Sequence, residues 1–375
     1  MKGAIPGCQV LVAKDNQIVF NKSYGTIAGI GSPDVTNATL YDLASMTKTS
    51  ATTVAIMKLV EEGKLDIEKT IGDYLPWVVG NAKAKIRLKD LLIHEAGLYP
   101  YIKFYESLLN PDGSINSKWI VPVQDADHQL MVTPGKYLTK NWMDSIRMKI
   151  LNSPVTAPGK YVYSDNDFIF LGNIVEQVTG MNLQDYCTKT FYGPMQMHST
   201  GFLPLERANI SNIAASELDN YFRKELIQGS VHDEGASTMG GIAGHAGLFS
   251  NATDIAKLYM MLLNGGQWDG QQYLKPSTIQ WFTSYQSPTS RRGLGFDKTA
   301  RDNASSKDPY PSLSAPASVF GHTGFTGTCV WADPDNQLLY VFLSNRVYPT
   351  RDNKAFSTLN LRAKIQEQIY QAIKK

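Results

Sequence analysis

The sequence has 375 residues, with 36 lysines and arginines against 34 aspartates and glutamates. Its hydrophobic fraction of 43% and net charge of +2 exclude global disorder and give no sign of the basic excess of a nucleic-acid binder. No run reaches the roughly 18 uncharged apolar residues of a membrane span, and at about 100–200 residues per domain the length allows two domains or one with an inserted lobe.

Taken in chain order, Gln9-Val10-Leu11-Val12-Ala13, a turn at Asp15-Asn16 and Ile18-Val19-Phe20 predict a strand, a turn and a strand. Cys8 has no room before it for the apolar stretch of a lipoprotein signal, so the reading expects any export signal to be missing from this chain. Because a sheet starts so abruptly, the chain reads as a piece of a longer exported protein. Residues 49–62 have helical spacing, stopped by Gly63. From about Ile71 to Glu234, prolines and glycines punctuate short helical patterns, including an apolar helix over Phe168–Val178. Ala252–Leu263 predicts a further helix, closed by Gly265-Gly266. A hairpin follows, with Thr328–Trp331, a turn at Asp333–Asn336 and Leu338–Leu343, and a last helix covers Asn360–Ile373. Strands at both ends predict an α/β (α+β) fold. In it, residues 1–70 and 236–375 form a sheet domain, and 71–235 form an inserted helical lobe. Cys8, Cys187 and Cys329 match no metal spacing and no disulfide framework, and Cys329 is expected as a buried thiol.

Three short patterns carry chemistry. In Ser45-Met46-Thr47-Lys48 a helix would put Ser45 and Lys48 on one face. A serine hydroxyl needs a neighbouring base, and burial or nearby cations would have to depress the lysine for it to serve as one. Tyr163-Ser164-Asp165-Asn166 offers a phenol and a carboxylate beside that pair, and it also reads as a helix N-cap. Gly321-His322-Thr323-Gly324-Phe325-Thr326-Gly327-Thr328 permits close backbone approach by a ligand, with donors on His322 and Thr323.

In this order the patterns resemble the S-x-x-K, S-D-N and K-T-G set of penicillin-recognising enzymes. The chain is similar to the serine β-lactamase and penicillin-binding-protein superfamily, in its class C β-lactamase-like branch, over essentially its whole length. Leu91-Leu92-Ile93-His94-Glu95-Ala96-Gly97-Leu98 and Gly244-His245-Ala246-Gly247-Leu248-Phe249-Ser250 look like further blocks of that branch. The resemblance implies that the fold is β-lactamase/transpeptidase-like and that Ser45 is the acylated nucleophile, with Lys48 its proton partner. It implies Tyr163 as general base and proton shuttle, and Asp165, His322, Thr323 and Gly324 as substrate-binding residues. The N–H groups of Ser45 and Phe325 would form the oxyanion hole. No cofactor or metal is implied.

Two departures matter. Asp165 stands where the branch has an amide that can donate. His322 stands where the set has lysine, so the expected partner of a substrate carboxylate titrates near pH 6.5. Both favour an amidase, peptidase or esterase over antibiotic hydrolysis. The expected substrate is a small molecule or peptidoglycan fragment, met outside the cytoplasm. Relatives of similar pattern are fused to a glycoside hydrolase domain, and such a fusion is expected of the full-length protein. A true class C-like β-lactamase, a D-Ala-D-Ala carboxypeptidase and a non-catalytic peptidoglycan-binding module remain alternatives. His232-Asp233-Glu234 with His245 lacks metal-ligand spacing and reads as loop residues near the cleft. Arg291-Arg292-Gly293 reads as a solvated turn, and His94 as a buried loop pin.

Overall fold

The computed structural model describes residues 3–373. The first hairpin forms as β1 (Gly7–Lys14) and β2 (Gln17–Gly25), turning through Asp15 and Asn16 at φ of 51° and 62°. Asx residues tolerate this left-handed geometry, which matches the twist of the flanking strands. The helical run predicted after Ser45 opens as a wide π turn over Lys48–Thr53 and continues as α1 (Val54–Glu61). It ends where Gly63 turns left-handed at φ 68°. Ile56, Met57 and Leu59 are fully buried, so α1 is a central core helix rather than a surface one.

The predicted Phe168 helix, α2, runs from Asp165 to Thr179 and starts three residues earlier than its apolar pattern suggests. Ser164 caps it, its hydroxyl accepting from Asn166 N at 3.1 Å. Asp165 and Asp167 then sit in the first turn, where the helix dipole favours carboxylates. The middle of the chain is not purely helical, because Ile120–Val121, His128–Thr133 and Lys136–Thr139 form a small antiparallel sheet.

Farther along come α3 (Ala252–Leu263), β3 (Asp297–Lys298), β4 (Phe320–Thr323), β5 (Cys329–Asp333), β6 (Leu338–Ser344) and α4 (Leu361–Ile373). The main sheet has the order β3-β4-β5-β6-β1-β2, antiparallel throughout, with Leu11 opposite Val341 and His322 opposite Val330. Side chains alternate across it. Leu11, Ala13, Val330, Leu339 and Val341 face the large core with α1 and α3. Cys8, Val12, Trp331, Tyr340 and Phe342 face a second cluster with Phe356 and Tyr370 from the C-terminal end. β6 is buried along its whole length because both faces are covered. The architecture is therefore the expected mixed fold, an antiparallel sheet drawn from both ends of the chain and flanked by helices. Cys329 is a buried free thiol, as are Cys8 and Cys187. No helix among the described residues is long and apolar enough to cross a membrane.

Candidate active site

The turn that presents Ser45 is held from several directions. Asp42 is buried; its Oδ1 accepts from Ala44 N at 2.8 Å and its Oδ2 from His232 N at 2.6 Å. Ala44 is consequently left-handed at φ 48°, an unfavourable conformation for alanine that the surrounding bonds fix. Leu43 N donates to Leu248 O at 2.9 Å, and Thr47 Oγ1 accepts from Leu248 N at 3.1 Å. From the other side, Thr326 Oγ1 donates to Asp42 O at 2.7 Å and Thr328 Oγ1 to Leu43 O at 3.1 Å. Sequence reading passed over Asp42, although a carboxylate two residues before Ala44 is an Asx-turn signal.

Lys48 is fully buried, and its Nζ donates to Ser45 Oγ at 3.1 Å, to Asp165 Oδ1 at 2.7 Å and to the His245 carbonyl at 3.0 Å. Burial alone would lower its pKa, but Asp165 and Tyr163 outweigh burial and raise it. The condition under which the lysine could serve as a base, a depressed pKa, is therefore not met: beside the Asp165 carboxylate it is held as an ammonium. The Tyr163 hydroxyl interacts with both Ser45 and Lys48, and burial raises its pKa above that of a free phenol. Asp165 does not present a free carboxylate to the cleft, since one oxygen is committed to Lys48.

His322, Thr323, Gly324 and Phe325 follow along β4 and line the cleft with Ser45 and Tyr163. His322 Nδ1 donates to Thr323 O at 2.6 Å, and Nε2 accepts from Arg292 Nη2 at 3.4 Å. This is a neutral tautomer. Burial, then the adjacent Arg292, pushes the His322 pKa down to about 3, so the expected titration near pH 6.5 is overturned. Arg292, read from sequence as a solvated turn, is 1% exposed and forms part of the cleft wall. Its Nε and Nη1 have no hydrogen-bond partner, and Nη1 lies 3.6 Å from Asp297. The fixed cation at this position is a guanidinium from another segment. Two adjacent arginines alone gave no signal of burial.

Around Ser45 the cleft divides into a cavity of about 520 Å³ on the β4 side and one of about 330 Å³ on the other. Tyr101, Tyr105, Asp165, His232, Glu234 and His245 line the smaller one. There His245 Nε2 meets Asp233 at 3.0 Å and Glu234 meets Arg351 at 2.7 Å. No cluster among the described residues has the make-up of a metal site. His94 is a loop pin as read: its Nδ1 lies 2.6 Å from Asp167 Oδ2, with its ring against Tyr163. Burial lowers the His94 pKa and raises that of Asp167, so both charged forms are disfavoured at this pin.

Residues 1–363 match the family model described as Beta-lactamase. The chain belongs to the Beta-lactamase family. It is 34% identical over 368 residues to a protein of Escherichia coli (strain K12) that bears the name of a D-alanyl-D-alanine carboxypeptidase, covering 91% of this chain and 78% of that one. Its fold is similar to the octameric penicillin-binding protein homologue of Pyrococcus abyssi, at TM-score 0.66 and 22% identity, over 96% of this chain and 75% of that one. It is likewise similar to a class C beta lactamase of Rhodobacter sphaeroides, at TM-score 0.64 and 18% identity, over 96% and 95%. This Beta-lactamase family member is a serine hydrolase.

Proposed function

We propose that the chain forms an acyl-enzyme at Ser45 with an amide or peptide substrate bearing a carboxylate, derived from peptidoglycan and met outside the cytoplasm. One observation carries this reading: the buried Lys48 ammonium is bonded at once to Ser45 Oγ, Asp165 and the His245 carbonyl. A charge so placed stabilises negative charge developing on Ser45 Oγ without moving in the reaction. Ser45 Oγ attacks the substrate carbonyl carbon in one relay, its proton passing to the oxygen of the neutral Tyr163 phenol as the phenol's own proton moves on. Tyr163 gives its own proton to the leaving nitrogen as the amide bond breaks. Water then attacks the ester under the same relay, releasing the acid and restoring Ser45. The N–H groups of Ser45 and Phe325 receive the oxyanion, and Thr323 with Arg292 receives the substrate carboxylate.

Intact-protein mass spectrometry after incubation with a penicillin and, separately, a fluorophosphonate tests this reading. Wild type should gain a covalent mass with at least one reagent, and Ser45→Ala with neither. A lasting penicilloyl adduct directs the reading to a carboxypeptidase, and rapid turnover of the penicillin to a β-lactamase. An adduct with the fluorophosphonate alone directs it to an amidase or esterase. Adducts retained in Ser45→Ala would overturn it.

A further inference from the structure

The larger cavity carries more positive charge than a single substrate carboxylate requires. Five cations line it, Arg291, Arg292, Arg346, Lys354 and Arg362, against the one carboxylate of Asp297. That carboxylate is already taken by Arg291 Nε at 2.7 Å and the Tyr310 hydroxyl at 2.6 Å, with Arg292 at 3.6 Å. Arg346 and Arg362 are held by backbone carbonyls instead: Arg346 Nε donates to Phe325 O at 2.8 Å, and Arg362 Nη1 to Thr328 O at 3.0 Å. Burial, and then the neighbouring Arg362 charge, lowers the Arg346 pKa. Lys354 is exposed at the rim. Buried Arg292 presents Nε and Nη1 without hydrogen-bond partners.

Guanidinium groups pair with carboxylates in a planar, two-point fashion, and like charges gathered without partners repel until an anion joins them. Arg292 forms one such centre, beside Thr323. Arg346, its guanidinium 4.5 Å over the Phe325 ring, forms a second with Arg362 and Lys354. The smaller cavity has no such excess: its carboxylates, Asp165, Asp233 and Glu234, are already paired with Lys48, His245 and Arg351, and Lys103 is its one other cation. We infer that the larger cavity receives a peptide flank carrying at least two carboxylates, one on Arg292 and the other on the Arg346–Lys354–Arg362 group. This deepens, and rests on, the Ser45 acyl-enzyme reading.

The test compares kcat/KM for matched amide substrates with one or two carboxylates, placed in one series on the amine side of the scissile bond and in another on the acyl side. In one of the series the second carboxylate should raise kcat/KM about tenfold, the scale of one charge-assisted hydrogen bond. The Lys354→Gln variant should narrow that ratio, as should 0.5 M NaCl (roughly a 4–5 Å screening length). The series that responds names the flank that enters the cavity. A ratio of one in both series, or a ratio that Lys354→Gln leaves unchanged, would overturn the inference. Fluorophosphonate labelling of Ser45 on the same preparation separates the two failures. Protein labelled by it or by a penicillin with a ratio of one removes only the dicarboxylate preference, whereas protein labelled by neither reagent removes the acyl-enzyme reading and this inference with it.

Discussion

At Lys48 the competition between burial and charge pairing is decided by Asp165, 2.7 Å away. Replacing it with asparagine removes the larger of the two influences that oppose burial and leaves only Tyr163 against it, so the lysine should lose its proton at lower pH. For Asp165→Asn we expect the alkaline limb of kcat/KM to move down by about one pH unit or more; an unmoved limb would show that Lys48 is not the titrating group. The other residue-scale consequence concerns His322. Since it stays neutral above about pH 3 and Arg292 beside it keeps its charge, affinity for a carboxylate-bearing substrate should be flat from pH 5 to 8. Arg292→Gln should raise KM about tenfold through loss of a charged hydrogen-bond donor. A KM that climbs through pH 6.5 would return the role to the histidine.

Between elements, the site depends on how closely β4 approaches the Ser45 turn. A side chain on Gly324 would collide with the Leu43 carbonyl and the Thr328 hydroxyl. These are the atoms that tie the third motif to the turn before the nucleophile. Thr326, bonded to Asp42 O, makes the second tie. Gly324→Ala should therefore push β4 away from Ser45 and lower kcat/KM by about a hundredfold, the scale of an ångström of misplacement. The global fold should persist. Circular dichroism with kinetics checks this, and near-wild-type turnover would mean that the two elements are not held in register by this contact. A similar approach occurs behind Lys48, where a Cβ on Gly172 of α2 would come within 2.9 Å of Gly244 Cα. That packing sets the loop whose His245 carbonyl accepts from Lys48.

For the molecule as a whole, an uncharged histidine in the interior links stability to pH. The unfolded chain protonates His322 below about pH 6.5, whereas the folded chain resists until about pH 3. The unfolded state therefore binds the extra proton across this window, and folding stability falls as pH drops through it, by about 1 kcal/mol per pH unit from this group. Denaturant unfolding of wild type and His322→Asn between pH 4.5 and 7.5 should show the steeper acid loss in wild type. Parallel curves would contradict a neutral buried His322.

The local pattern of residues settled much of this protein by itself. The strand and turn patterns in residues 9–20 and 328–343, the stop at Gly63 and the run of Ala252–Leu263 depend on neighbours within a few positions, and each forms where it was read. The three motifs and the resemblance they carry likewise singled out Ser45, Lys48, Tyr163, Asp165 and His322–Phe325, which the fold brings together around one cleft. Protonation states were not visible. Whether Lys48 is depressed or raised depends on Asp165, 117 positions away, and on how deeply both are buried. The buried cation beside the third motif also had to await the tertiary structure, for Arg292 reaches His322 across 30 positions and two adjacent arginines read as solvent-facing. Charges act through space and through the dielectric around them, and only the folded chain sets both.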